Sequence, residues 1–230
     1  MKRGIKGIVF DLDGTLIHST IDFRKMKKRM IEYLTSQGVD GTQLSTDETN
    51  VVILGKSEKM LRDKNVPQDK IAEIMDHVEE IMNQTEMESV SETSPIKGVE
   101  EALRRLKQQG YMTAILTRGN HDYAVEALKN TGLIGYFDFV IGREETPKPK
   151  PYAEALEHTA TVLGIGIDEL LLVGDHPIDQ TCAKNANARF IGVLTGSAKA
   201  ETWKEAACTE VLNGVEELPS YLKKNEQRPC

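Results

Sequence analysis

The sequence predicts an α/β fold, a parallel β-sheet interleaved with helices and interrupted early by a helical insertion. Three observations predict it. Residues 5–10 (IKGIVF) form a short apolar run that stops at an acidic, glycine-containing loop, as a buried strand feeding a turn does. After Pro95, short β-branched runs alternate with helix-length amphipathic segments, which implies right-handed crossovers and a parallel sheet. Between the two, from about residue 20 to 92, methionines and charged residues crowd in at helical spacing.

Within the insertion, Ile21, Met26, Met30, Tyr33 and Leu34 share one helix face, and Val51–Leu54 is a strand-like run. Ile71, Ile74, Met75, Val78, Ile81 and Met82 mark a stronger helix that starts after Pro67. Past Pro95, Val99, Ala102, Leu103 and Leu106 form an apolar face, and Gly110 is placed to end that helix. Residues 112–117 (MTAILT) read as a strand and 119–132 as a helix with Asn120 as N-cap and Gly132 as terminator. A strand at 137–142, a helix at 152–163, a strand at 170–173, a helix at 177–187 and a strand at 190–194 continue the rhythm. A short strand at 209–212 and a helix at 215–222 complete it, and the tail KKNEQRPC reads as frayed. The domain boundaries expected are therefore 1–15 with 93–230 for the α/β core and 16–92 for the helical insertion.

Length and charge bound the function. A chain of 230 residues, 39% hydrophobic and 28% charged, can bury a sizeable core without staples. A formal net charge of −7 argues against nucleic acid as a partner, because no global basic field exists to release counterions. Cys182, Cys208 and Cys230 are few, odd in number and widely spaced, as expected of reduced thiols in a cytoplasmic protein. The N-terminal MKRGIKGIVFDLDG carries too short an apolar run for a signal peptide or anchor, and no segment approaches 18 apolar residues, so no membrane association is expected.

In an open parallel sheet, ligands bind outside the carboxyl ends of the strands. The first strand ends in Asp11-Leu12-Asp13-Gly14-Thr15, the second in Thr117-Arg118-Gly119-Asn120, and the strand at 170–173 in Gly174-Asp175, with Asp179 one helical turn on. A loop before the helix at 152–163 carries Lys148 and Lys150. Each segment alone has a plainer reading: a turn, a strand end, a solvated loop charge, a helix cap. Their joint occurrence, each at a strand end, gathers several carboxylates, a hydroxyl and a lysine at one edge. Crowded carboxylates repel one another and call for a cation. Oxygen-only ligands select a hard ion, and Mg²⁺ takes few protein carboxylates while keeping waters and a substrate phosphate. An Asp can then attack phosphorus, a second can move protons, and the lysine and hydroxyl can hold the phosphoryl oxygens.

The segments IVFDLDGTLI, ILTRGN, TPKPKPYAEAL and LLVGDHPIDQTCAKNANARFIGVLTGS resemble the four motifs of the haloacid dehalogenase superfamily, and most nearly its phosphoglycolate-phosphatase-like branch. The likeness covers roughly residues 4–18 and 94–222. It implies a doubly wound, Rossmann-like parallel sheet, with the helical insertion as a small cap domain. It implies a Mg²⁺-dependent phosphatase acting on a small phosphorylated metabolite through an aspartyl-phosphate, with phosphoglycolate a candidate substrate. Carried over by position, Asp11 is the nucleophile and a metal ligand, and Asp13 the general acid/base and a ligand through its main-chain carbonyl. Asp175 is the remaining metal ligand, and Asp179 holds metal waters or orients the lysine. Thr117, Arg118 (through its backbone) and Gly119 hold the phosphate.

Two Lys-Pro pairs compete for the lysine position. Lys150 lies 25 residues before Asp175 and 13 before Leu163, which fits the family pattern without a gap, whereas Lys148 needs a two-residue insertion. Lys150 is therefore the chosen catalytic and phosphate-binding residue. Departures from the family pattern are His18, His176 and Asn187. Asn187 tolerates the left-handed conformation of the usual glycine. His176 reads as a neutral substitution, His18 as either a substrate contact or hinge packing, and His121 as a helix-start surface residue.

The alternative enzyme is a phosphosugar mutase, which shares every core residue and keeps the phosphoryl group by excluding water. A regulatory protein switched by a phosphorylated Asp is the non-enzymatic alternative, disfavoured by the lysine and Asp13. The basic stretch Arg24, Lys25, Lys27, Lys28 and Arg29 reads as a solvated helix face rather than a substrate clamp, and a monomer is expected.

Overall fold

The computed structural model describes residues 4–226. The elements run in chain order as β1 (Gly7–Phe10), β2 (Ile17–His18), α1 (Phe23–Ser36), α2 (Asn50–Asp63) and α3 (Gln68–Met87). They continue as β3 (Ser94–Pro95), α4 (Val99–Gln108), β4 (Met112–Leu116), α5 (His121–Asn130), β5 (Phe139–Ile141) and α6 (Ala153–Leu163). The last are β6 (Leu170–Gly174), α7 (Pro177–Asn185), β7 (Arg189–Val193), α8 (Ala200–Glu205), β8 (Val211–Leu212) and α9 (Leu218–Glu226). The chain divides into two compact units, with breaks after Ser19 and after Ser89.

The larger unit is built on a six-stranded sheet in the order β5-β4-β1-β6-β7-β8, every neighbouring pair parallel. From β1 the chain steps outward through β4 to β5, then crosses back to β6 on the other side of β1. That is the doubly wound order, and its reversal opens a crevice at the carboxyl ends of β1 and β6. The central strands are apolar because both faces are covered: all of β1 and β6 is buried. On one face Val9, Leu116 and Leu172 pack on Ala155, Leu156, Ala160 and Leu163 of α6 and Cys182 and Ala183 of α7. Each such leucine contributes about 1.5–3 kcal/mol by leaving water. Alternate residues of β1, Ile8 and Phe10, point to the opposite face, where the Phe10 ring meets Phe137 edge-on at 6.2 Å.

The smaller unit is three helices around their own core: Met26, Met30 and Leu34 of α1, Ile53 and Leu61 of α2, and Ile71, Ile74, Val78 and Met82 of α3. Here the strand-like reading of Val51–Leu54 is wrong, because these residues are the first turn of α2. Thr49 caps the helix by accepting the Val52 N–H, and Ile53, Ser57 and Leu61 recur every four residues on the buried side. Val51 and Val52 stay 41% and 43% exposed, so the run marks a helix start and not a buried strand. The basic stretch is largely consumed inside this unit. Lys25 and Arg29 pair with Glu88, Lys27 donates to the Thr46 carbonyl, and Lys28 faces Glu32 at 3.9 Å.

The ribbon of β2 with β3 and the short helix α8 have no counterpart in the sequence reading. Two residues per strand are too few for periodicity, and α8 is held by one side chain, Trp203, buried with its Nε1 donating to the Val193 carbonyl at 3.2 Å. The last helix also runs further, through Lys223 to Glu226. The rest of the tail read as frayed, Cys230 within it, and the first three residues of the N-terminal segment lie outside the described residues. Cys182 and Cys208 are free thiols. Among the described residues no helix is long and apolar enough to cross a membrane.

Candidate active site

Asp11 extends β1 by one residue: its N–H donates to the Val173 carbonyl of β6. The chain then turns sharply, with the Leu12 carbonyl accepting the N–H groups of Thr15, Leu16 and Ile17. Asp11 is thereby fixed at the mouth of the crevice beside Asp175, which follows β6. One carboxylate oxygen from each of Asp11, Asp175 and Asp179 lies within 4.8 Å of the other two.

Their partners differ. Lys150 Nζ, almost fully buried, donates to Asp11 Oδ1 at 2.7 Å and to Asp179 Oδ1 at 2.6 Å. Lys148 is exposed and pairs with Glu154. Burial alone would drive the Lys150 ammonium toward neutrality, but Asp11 and Asp179 outweigh it and raise its pKa, so the lysine stays charged. The second oxygen of Asp179 accepts the His176 N–H at 3.2 Å. Burial pushes the Asp179 carboxyl up to about 7, against the pull of Lys150. Both Asp179 oxygens are thus engaged, which suits it to orienting the lysine.

Asp175 is gripped from the loop after β7. Ser197 donates to its Oδ2 twice, from N–H at 2.7 Å and from Oγ at 2.9 Å. Gly196 lies so close that a Cβ there would fall 2.0 Å from the same oxygen. The remaining oxygens, Asp11 Oδ2 and Asp175 Oδ1, each stand 3.4 Å from one hydroxyl, Thr15 Oγ1. That hydroxyl has one proton and can serve only one of them at a time. Burial, then the charge of Asp11, raises the Asp175 pKa, which is the repulsion a cation relieves. Two carboxylate oxygens sharing one donor, in an all-oxygen setting, fit a hard divalent ion. Asp13, assigned to the metal through its main-chain carbonyl, turns its side chain to Tyr123, whose hydroxyl donates to Asp13 Oδ1 at 2.5 Å.

The turn after β4 completes the edge. Thr117 is buried, and its Oγ1 accepts the Gly119 N–H at 3.0 Å, which leaves its own proton to donate. Arg118 is half-buried. Burial lowers the pKa of its guanidinium, and Asp179 and Asp11 act in the opposite sense. Its carbonyl, and that of Gly119, accept from the Arg143 side chain and N–H.

The histidines fall outside this constellation or behind it. His176 caps α7 by accepting the Ile178 N–H on Nδ1, and burial keeps its pKa below the usual histidine range. His18 is exposed and paired through its backbone with Ser94. His121 opens α5 and meets Glu145 at 2.7 Å. Asn187 takes φ +55°, in the left-handed region. Sequence reasoning gave no role to Thr15, Ser197 or Tyr123. The first two were visible as hydroxyls just past strand ends, whereas nothing in the sequence ties Tyr123 to a residue 110 positions away.

Residues 8–193 match the family model described as haloacid dehalogenase-like hydrolase. The chain belongs to that family. Within it, the chain is 29% identical over 192 residues to a phosphoglycolate phosphatase of Neisseria meningitidis, covering 84% of this chain and 81% of the relative. It is 30% identical over 188 residues to a phosphoglycolate phosphatase of Cereibacter sphaeroides, covering 80% and 83%. In fold it is similar to a hydrolase from Pseudomonas syringae, with a TM-score of 0.64 at 21% identity over 95% of this chain and 98% of the other. The chain is thus a hydrolase of this family's phosphatase type, with a carboxylate cluster that could bind a divalent ion.

Proposed function

We propose that the chain is a Mg²⁺-dependent phosphatase that cleaves a small phosphomonoester, phosphoglycolate among the candidates, through an aspartyl-phosphate on Asp11. The single observation that carries this reading is the division of labour at Asp11. One oxygen is neutralised by the buried Lys150, and the other shares the Thr15 hydroxyl with Asp175.

Asp11 and Asp175, with the Asp13 carbonyl, would hold the ion. When bound it supplies charge that lets an anionic phosphate approach an anionic nucleophile and stabilises the phosphoryl oxygens. The rest falls to the chain. Lys150, the Thr117 hydroxyl and the Arg118 N–H hold the phosphoryl oxygens, while the Gly119 N–H, expected to join them, is spent on aiming the Thr117 hydroxyl. A carboxylate oxygen of Asp11 attacks phosphorus, the bond from phosphorus to the leaving oxygen breaks with its electron pair, and Asp13 gives that oxygen a proton. Water then attacks the same phosphorus and gives its proton to Asp13, and the bond to Asp11 breaks, releasing phosphate. The helical insertion is proposed as the cap that selects the substrate.

Hydrolysis of an aryl phosphate with and without Mg²⁺ tests the reading. Metal-dependent release of phosphate that vanishes in Asp11→Asn is expected. Equal release by the Asp11→Asn protein, or none from either with Mg²⁺ present, would remove it.

A further inference from the structure

Tyr123 is fully buried on α5, yet its hydroxyl donates to a carboxylate at the edge of the sheet, Asp13 Oδ1, at 2.5 Å. A buried tyrosine needs a hydrogen-bond partner, and main-chain carbonyls are the commonplace choice. Here the partner is the side chain two residues past the nucleophile. The route to it is built into the phosphate-binding turn. Gly119 presents no side chain to the ring, and a Cβ there would stand 3.0 Å from Tyr123 Cδ1 and 3.4 Å from Thr117 Oγ1. The same turn is tied down from its other side by Arg143.

We infer that Tyr123 is a positioning residue that fixes the Asp13 carboxylate where it can pass a proton to the leaving oxygen and later accept one from water. The inference rests on the reading of Asp13 as general acid/base, and the hydrogen bond sets which way that carboxylate faces. Without it the carboxylate loses one of the contacts that hold it in place, and misplacing a reacting group by about 1 Å costs roughly 10²-fold in rate.

The consequence depends on the leaving group. A nitrophenolate departs without a proton, whereas an alkoxide does not. The value of kcat/KM reports the steps up to formation of the phospho-enzyme, and kcat includes its breakdown, which needs Asp13 for every substrate. In Tyr123→Phe, kcat/KM for an alkyl phosphate such as glycerol phosphate should fall by about 10–100-fold, and that for 4-nitrophenyl phosphate by less than about threefold. For the aryl ester kcat and KM should fall together. In an Asp13→Asn background the second substitution should change kcat/KM for the alkyl ester by less than about twofold. The phenylalanine keeps the ring, and its thermal midpoint reports whether the fold is retained. Equal losses with both esters, or losses that multiply with those of Asp13→Asn, would overturn the inference while leaving the phosphatase reading standing. An Asp13→Asn protein as active as the wild type on the alkyl ester would instead overturn the role of Asp13, and the inference with it.

Discussion

Lys150→Met removes the ammonium and keeps most of the side chain's volume, so the change is almost purely electrostatic. The lysine makes two charge-assisted hydrogen bonds, of 2.7 Å to Asp11 and 2.6 Å to Asp179, in a pocket that leaves it 1% exposed. At about 1.5–3 kcal/mol each, the two bonds sum to about 3–6 kcal/mol. Breaking a buried ion pair by deleting one partner gives about 3–5 kcal/mol independently. Lys148→Met is the control. Its bond to Glu154 is as short, 2.7 Å, but the two side chains are 56% and 39% exposed, and such pairs are worth about 0–1 kcal/mol.

The loss depends on pH in a stated direction. Burial has raised Asp179 to about 7 even with the lysine in place, and removing the lysine raises it further. A carboxyl whose folded pKa lies above its unfolded value near 4 contributes stability at low pH, and that contribution is lost as pH rises through the folded pKa. The variant should therefore be most destabilised at pH 8, by about 3–5 kcal/mol, and less so at pH 5.5, where Asp179 takes up a proton. Urea unfolding followed by circular dichroism measures both. Turnover of an aryl phosphate should fall by about 10²–10³-fold in Lys150→Met, as when a fixed donor to a phosphoryl oxygen is lost, and by less than threefold in Lys148→Met. A loss below about 1 kcal/mol at pH 8 for Lys150→Met, or a larger loss for Lys148→Met, would refute the electrostatic account.

Mg²⁺ should raise the thermal midpoint, by an amount equivalent to about 2.7 kcal/mol at a hundredfold excess over its dissociation constant. The shift should be larger at pH 7.5 than at pH 5, because the raised pKa of Asp175 lets protons compete with the ion at the lower pH; differential scanning fluorimetry reads both. Ser197→Ala removes the 2.9 Å bond that holds Asp175 Oδ2 and should weaken Mg²⁺ binding by about 10–100-fold in calorimetry, with little change in metal-free stability. Trp203→Ala empties the socket under α8 and should cost about 3–5 kcal/mol in urea unfolding.

The legible part of this protein was what repeats or what carries charge at a strand end. The alternation of apolar runs after Pro95 yielded the sheet strands within a residue or two, because each central strand is buried on both faces and is almost wholly apolar, Thr113 being accommodated by its bond to the Tyr136 carbonyl. Asp11 and Asp175 could be read because charged groups at strand ends stand out against such runs, and Lys150 because it leads the loop into the helix at Ala153–Leu163. The spacing from Lys150 to Leu163 and Asp175 separated it from Lys148, which the fold leaves exposed. Illegible were contacts that depend on tertiary approach. Tyr123 meets Asp13 across 110 residues, and Ser197 meets Asp175 from the loop after β7. Val51–Leu54 misled for a related reason: an apolar run of four says nothing of helix or strand until its flanks are counted, and the Thr49 cap with Ile53, Ser57 and Leu61 decides for helix.

The position of β1 in the sheet carries a kinetic consequence. Its backbone is bonded to β4 on one side and β6 on the other, and the Asp11 N–H joins the same ladder. Amides so placed should exchange with solvent deuterium more slowly than those of the marginal strands β5 and β8, each with a single neighbour in the sheet. The Asp11 carboxylate, proposed as the nucleophile, is therefore borne by a segment paired on both sides, and partial loosening at either margin of the sheet should leave its footing undisturbed.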